Sequence, residues 1–339
     1  MRIQFVTSPE VSIIIPCLNE EKNIQKLLDA LLRQTYPLNQ LEVIISDGNS
    51  SDQTREIIAD FQSTHKELKI KVIDNPVRRI PVGLNMAIKE AQGRIITRMD
   101  AHAIPANDYV ERCVDALKNG LGQNVGGVID IKPGEKGWIA KSISIATAHP
   151  VGVGDAKYRW AKKAGEVDTV AFGTFYKSKA EEIGLFNEEL LINEDYEFNA
   201  KIRATGGKIW VDPSIRAIYY SRATLRGLAR QYFYYGFWKL RMLRKNPDTL
   251  RWRQAIPPLF VLGILMLLLL SLFWPLARLI LAVCLGFYLL VLLAASTRES
   301  ILKHDVMLFP GIPLAIMAMH LSWGCGFWWC LLNPENQGK

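Results

Sequence analysis

Three stretches near the end of this chain carry almost no charge. Ile256–Trp274 and Leu279–Thr297 have none, and Val306–Leu332 holds only His320. At 1.5 Å per residue, about 20 residues cross the roughly 30 Å hydrocarbon core of a bilayer. The sequence therefore predicts about three membrane helices within residues 256–332, the third starting near Ile312, where Pro310 and Pro313 mark its beginning. They account for an apolar fraction of 49% and a mean hydropathy of +0.08, both high for a soluble enzyme.

The net charge of +8 has an address. Nine Lys or Arg, among them Arg222, Arg226, Arg230, Lys239 and Arg253, face a single acid, Asp248, between residues 222 and 253, and the rest of the chain balances. By the positive-inside rule, this run just ahead of the first span places residues 1–255 on the cytoplasmic side, and Arg298 with Lys303 agree with a second cytoplasmic loop. The predicted location is the inner (plasma) membrane, multi-pass. Nucleic acid is the other polyanion such a run could bind, but beside a membrane segment the expected partner is phospholipid headgroups. The opening MRIQFVTSPE lacks an apolar core, so no signal peptide is expected. Five cysteines, with no CxxC pair and three of them inside spans, suggest neither disulfides nor zinc.

Ahead of the spans, the apolar runs VSIIIP, LEVIISD, LKIKVID, RIITRMD and VGGVIDI alternate with helical stretches such as NIQKLLDALLRQ, TREIIADFQ and YVERCVDALK. Strands separated by helices predict an α/β domain with a mainly parallel, Rossmann-like sheet. In such sheets ligands sit beyond the carboxyl ends of the strands. Those ends read PCLNEE, SDGNSSD and DAH, polar and acidic at one rim. No GxGxxG or GxxxxGK[ST] loop is present. A divalent cation is then the simplest way for a carboxylate-lined rim to hold a diphosphate. Singly each piece is weak. SDGNSSD also reads as a turn before a helix capped by Ser51 or Asp52, and Asp52 is assigned to that cap. Asp47, at the strand tip, can accept the N–H of a flat base.

These residues, together with IGLFNEELLINEDYEFNAKIRATGGKIW further on, resemble the inverting family 2 glycosyltransferases of the GT-A fold over residues 9–240. The DAH variant and RQYFYYGFWK ahead of spans are similar to the branch of bacterial exopolysaccharide enzymes that includes succinoglycan-type glucosyltransferases. The resemblance implies donor-binding roles for Pro16, Asn19, Glu20, Asp47, Arg78, Asn85 and Asp100. It implies Mn²⁺ or Mg²⁺ at Asp100 and His102, a mixed nitrogen and oxygen pair in which imidazole replaces the family's second carboxylate. It implies Asp195 as general base with Glu194 beside it, and it places Gly173, Thr174 and Gln231 in the acceptor and sugar region. Each has a plainer reading: Asp195 as a helix N-cap, Arg78 and Arg79 as partners of surface acids, Gly173 as relief for a crowded strand.

Two departures narrow the function. The QxxRW of processive members is Gln231-Tyr-Phe-Tyr-Tyr here, which favours transfer of one sugar, and YYSRAT lacks the histidine that the family often has after the last strand. Residues 221–255 read as a basic interface segment, with Leu225, Leu228, Tyr232, Tyr235 and Met242 on one helical face and Arg226, Arg230, Arg241 and Arg244 opposite. The alternative is a helix packed on the sheet. The organisation expected is thus a catalytic domain at 1–220, the interface segment, spans at 256–332 and a tail at 333–339. The function expected is transfer of glucose from UDP-glucose to a polyprenyl-diphosphate-linked oligosaccharide. The alternatives are transfer to polyprenyl phosphate itself, as in dolichyl-phosphate-mannose-type enzymes, or a non-catalytic membrane scaffold.

Overall fold

The computed structural model describes residues 8–333. The opening MRIQFVT, on which most of the signal-peptide reading rests, and the tail from residue 334 lie outside the described residues. The chain divides into two units, one holding residues up to Asp130 with Trp160–Tyr219, the other Ile131–Arg159 with Tyr220 onward. Nothing in its composition separates 131–159 from the sheet domain, yet this segment belongs to the second unit.

The first unit is built on one mixed sheet. Its strands are β1 (Val11–Cys17), β2 (Leu41–Asp47), β3 (Lys69–Asp74), β4 (Ile95–Arg98), β5 (Ala103–Pro105), β6 (Asn124–Lys132), β7 (Gly165–Val167), β8 (Thr174–Tyr176) and β9 (Ile209–Tyr220). They lie in the order β3-β2-β1-β4-β8-β6-β9-β5, with β7 on β9. The four strands from β3 to β4 are parallel, and β8, β6, β5 and β7 add antiparallel pairings. The parallel half is the part with long helical crossovers, Ile24–Leu32, Thr54–Thr64 and Ile80–Glu90. Its strands β1 and β2 are buried nearly throughout, which is why they read as unbroken apolar runs.

Pro16 fits inside β1 because β4 pairs with β1 only as far as Ile14, so the missing N–H interrupts no ladder bond on that side. The second half of the sheet is held by aromatic packing. Phe198 on helix Glu194–Ala204 stacks on Phe186 at 4.3 Å and meets Phe175 of β8 at 4.7 Å.

The second unit is helical. Three helices, Trp252–Ser271, Pro275–Leu302 and Leu308–Leu332, are long and apolar enough to cross a membrane. The third starts at Leu308, four residues earlier than its prolines suggest. Pro310 falls in the first turn, where backbone N–H groups have no acceptor anyway, and Pro313 removes a single bond in the second. The first likewise runs through Pro257 and Pro258 from a capping box at Arg251 and Gln254.

Helix Leu225–Lys245 begins at Thr224, whose Oγ1 accepts the Gly227 N–H at 3.1 Å. Its apolar side packs on helix Leu308–Leu332. Leu228, Tyr232 and Met242 are buried, and a Cβ on Gly236 would lie 2.0 Å from Trp323 O. Glycine is therefore required at this crossing. Lys239, which the sequence groups with the exposed bases, is buried and donates to Thr249 O at 3.1 Å.

Candidate active site

The polar rim expected at the strand ends forms in the first unit. Asn19, in a left-handed conformation (φ 54°), accepts the Ser51 N–H at 2.9 Å through its side chain, while its own N–H goes to Ser50 Oγ at 2.9 Å. This locks the end of β1 to the end of β2. Asp52 takes the Thr54 N–H at 3.1 Å and the Glu21 N–H at 3.2 Å. It acts one residue outside the helix, since Gln53 occupies the cap position.

Asp47 is fully buried, and its carboxylate accepts from Ser50 N (3.1 Å), Ser50 Oγ (2.5 Å) and Arg55 Nε (2.5 Å). Arg55 also pairs with Asp74. A base reaches Asp47 only if the half-exposed Arg55 moves aside. Arg78, exposed and at φ 58°, donates to Asn49 O at 3.2 Å beside that same strand tip.

The DAH segment turns tightly after β4, with Ala103 N–H on Asp100 O at 3.0 Å. His102 Nδ1 lies 2.9 Å from Glu20 Oε1, and its ring packs 5.3 Å from Tyr219. A carboxylate at Nδ1 is the arrangement found behind metal-bound imidazoles. Asp100 is partly exposed, its side chain at 24%. One carboxylate and one imidazole suit Mn²⁺ or Mg²⁺ only if further oxygens complete the shell. Among the described residues no group of three or more His, Cys, Asp or Glu could hold an ion. The donor set thus fits a cation shared with a ligand's phosphates, not a closed protein cage.

Arg98 links the two acidic stretches. It is the last residue of β4 and is buried, with Nη2 2.8 Å from Glu194 Oε1 and 3.2 Å from Asp100 Oδ1. Its Nε and Nη1 are buried with no hydrogen-bond partner among the described residues. The sequence reading passed over it, although a charge at the end of the core strand IITR is itself a signal, since arginine is almost never fully buried unless paired.

Glu194 and Asp195 open the helix Glu194–Ala204, where the backbone dipole favours negative charge. Asn193 precedes them in the left-handed region, φ 68°. Asp195 is therefore inside the first turn and is not the N-cap; its Oδ1 accepts the Tyr196 N–H at 2.7 Å. Burial raises the pKa of both acids, and the Arg98 charge pulls each back down. Glu194 is buried and Asp195 partly exposed.

Of the remaining expected residues, Gly173 borders the site, its carbonyl accepting the Arg98 N–H at 2.9 Å. Asn85 is buried, with both amide hydrogens on Phe186 O and Glu188 Oε1 at 2.9 Å and its oxygen accepting the Phe186 N–H. It anchors the segment after β8. Thr174 is buried in β8, 3.0 Å from Thr97 Oγ1. Gly173 has its plainer reading: a Cβ there would lie 2.1 Å from Asn124 Oδ1. Gln231 belongs to the second unit, where its Nε2 donates to Tyr235 Oη at 3.0 Å.

The signature of glycosyl transferase family 2 matches residues 12–184. The chain belongs to this family. ExoA, a succinoglycan biosynthesis protein of Rhizobium meliloti (strain 1021), is 30% identical over 97% of this chain and 97% of its own. A Methanococcus voltae enzyme, dolichyl N-acetyl-α-D-glucosaminyl phosphate 3-β-D-2,3-diacetamido-2,3-dideoxy-β-D-glucuronosyltransferase, is 29% identical over 97% and 99%. The mannosyltransferase PcManGT of Pyrobaculum calidifontis, solved with GDP-Man and Mn²⁺, superposes with a TM-score of 0.62 over 97% of this chain and 89% of its own at 19% identity. Residues 1–349 of Staphylococcus aureus TarS with UDP-GlcNAc give 0.51 at 18% identity over 69% and 66%. The last two establish the GT-A-like fold. The chain is a glycosyltransferase.

Proposed function

We propose that this glycosyltransferase inverts the anomeric centre of a nucleotide sugar, UDP-glucose in our reading, and adds one sugar to a polyprenyl-diphosphate-linked acceptor at the cytoplasmic face of the membrane. The observation that carries the reading is that one guanidinium, Arg98, holds both Asp100 of the DAH turn and Glu194 of the dipeptide containing the base. Donor and acceptor chemistry thereby share one rim.

Asp100 and His102 would hold Mn²⁺ or Mg²⁺, which would supply Lewis-acid stabilisation of the charge on the departing nucleotide. Asp195 takes the proton of the acceptor hydroxyl. The oxygen then forms its bond to the anomeric carbon as the bond to phosphate breaks, and that electron pair leaves with the nucleoside diphosphate. Glu194 and Arg98 position Asp195. Asn19, Glu20 and Pro16 shape the wall that receives the nucleotide, and Arg78 and Asp47 stand at its base end. The catalytic part occupies residues 1–220, the basic segment 221–255 meets phospholipid, and membrane helices follow.

The Methanococcus relative's name makes its acceptor a dolichyl sugar phosphate, which supports a lipid-linked sugar over bare polyprenyl phosphate. Radiolabelled transfer into membrane lipid, followed by mild acid and thin-layer chromatography, tests the point. Label released as part of an oligosaccharide supports the proposal. Label released as a lone sugar from a monophosphate defeats it.

A further inference from the structure

We infer that helix Leu308–Leu332 lies in the membrane interface beside helix Leu225–Lys245 instead of crossing the bilayer, and that the pair forms a surface fitted to anionic phospholipid headgroups. Two helices then span, and both ends of Leu308–Leu332 stay on the side where the first span begins.

The spans set the frame. Trp252–Ser271 and Pro275–Leu302 are joined by the short turn Leu272–Trp274, so Trp252 and Leu302 are on one side and the turn on the other. Phe260 against Tyr288, 4.6 Å between ring centres, aligns them. Leu308–Leu332 starts six residues beyond Leu302, fixed there by Lys141 on Asp305 at 2.6 Å and by Gly311 against Ser142.

A perpendicular crossing would carry residues 324–328 about 24–30 Å further, to the opposite headgroups. They are not there. Gly324 lies against Pro257 O and Val261, and Trp328 Nε1 donates to Pro258 O at 2.8 Å. Pro257 and Pro258 sit only five and six residues into the first span. The far end is tied back as well, since Arg244 Nη2 reaches Cys330 O at 3.4 Å and Arg244 precedes the first span by eight residues.

Charge gives the second argument. A Cβ on Gly326 would lie 1.9 Å from Phe233 O, and the Tyr232 and Trp323 rings are 6.4 Å apart, so the two helices touch backbone to backbone. One cannot cross without taking the other along. Leu225–Lys245 exposes Arg226, Arg230, Arg244 and Lys245. In mid-bilayer each would be costly to insert, whereas near anionic headgroups each is attracted. Leu308–Leu332 is also the most buried of the three long helices, and it carries Trp323, Trp328 and Trp329, a residue type enriched at membrane boundaries.

Single cysteines at Asp248, Phe273 and Asn333, in a chain whose native cysteines are replaced by serine, would be labelled with a membrane-impermeant maleimide in spheroplasts and in inverted vesicles. Asn333→Cys should label in the same preparation as Asp248→Cys and not with Phe273→Cys; labelling with Phe273→Cys overturns the topology. If the cysteine-free chain does not fold, an epitope tag after residue 339 of the unaltered chain, digested from each side, decides the same question. For the headgroups, the unaltered protein should melt higher in nanodiscs of phosphatidylglycerol than of phosphatidylcholine. That difference should vanish when Arg226, Arg230, Arg244 and Lys245 are changed to Gln. No difference in the unaltered protein, or its persistence in the variant, overturns that part. None of these readouts depends on sugar transfer.

Discussion

Arg98 Nη2 stands 2.8 Å from Glu194 Oε1, joining the end of β4 to the start of helix Glu194–Ala204 across 96 residues of sequence. Both side chains are buried. A buried pair of this kind is strongly destabilising to break, because removing one partner leaves the other charge without compensation. Here it also holds the first turn of the helix, from which Asp195 projects.

Asp195→Asn should lower kcat by about 10² to 10⁴-fold, the usual contribution of a positioned base. Donor affinity, read as thermal stabilisation by the nucleotide sugar, should stay within a factor of about three, because the amide keeps the shape and the contact to Tyr196 N–H. Undiminished turnover would remove Asp195 from the mechanism.

The pH profile of kcat/KM should show an acidic limb above the range of a free carboxylate. Burial raises the Asp195 pKa, and a base works only when ionised, so activity rises as pH climbs through that value. The Arg98 charge lowers the pKa. Arg98→Gln should therefore shift the limb upward. A limb that stays in place, or moves to lower pH, contradicts the assignment.

Glu20→Gln should weaken Mn²⁺ by about 10 to 100-fold while leaving kcat at saturating Mn²⁺ nearly unchanged, as expected for a carboxylate that orients a coordinating imidazole. Mn²⁺ titration of activity checks this. Chelation by EDTA should abolish turnover in the unaltered enzyme, with recovery when Mn²⁺ is returned.

Glu10 supplies a stability test away from the site. It accepts from Tyr36 Oη at 2.5 Å and is paired with Lys118 at 2.9 Å and Arg94 at 2.5 Å. The Tyr36 bond, then the Lys118 bond, holds its pKa down at about 2 against an ordinary 4.5. The folded state favours the ionised form, so the stabilisation is complete above about 4.5 and fades as pH falls toward 2. After discounting for solvent screening, Glu10→Gln should cost about 1–2 kcal/mol at pH 7 and little near pH 2. Urea denaturation at the two values measures the difference.

Gly173→Ala should destabilise by about 1–3 kcal/mol through overpacking on Asn124, and Asn124→Ala should cancel much of that cost in the double variant. Additive losses would mean that Gly173 is not there to make room for Asn124.

The sequence makes some of this plain and hides the rest, for physical reasons. The strands β1 and β2 are legible because burial on both faces demands uninterrupted apolar runs. The polar clusters at their ends stand out because polarity is unexpected there. The antiparallel part is harder to read: β5, β7 and β8 are three residues each, too short for a period to register. Asn85 shows the limit for single side chains. Its type suits a ligand, yet its amide is committed to Phe186 and Glu188, a hundred residues away. Arg98 was visible as a charge in a core strand, but its partner Glu194 comes close only through folding. The packing of Leu225–Lys245 on Leu308–Leu332 depends on where Gly236 and Gly326 face, and spacing alone does not disclose it.

The positive φ of Asn193, 68°, constrains what can change in this enzyme over evolutionary time. Glycine, aspartate or asparagine can hold that turn, whereas valine or isoleucine would have to abandon it and swing the two acids that follow away from Arg98. A β-branched side chain is thereby barred from the position that aims both acids.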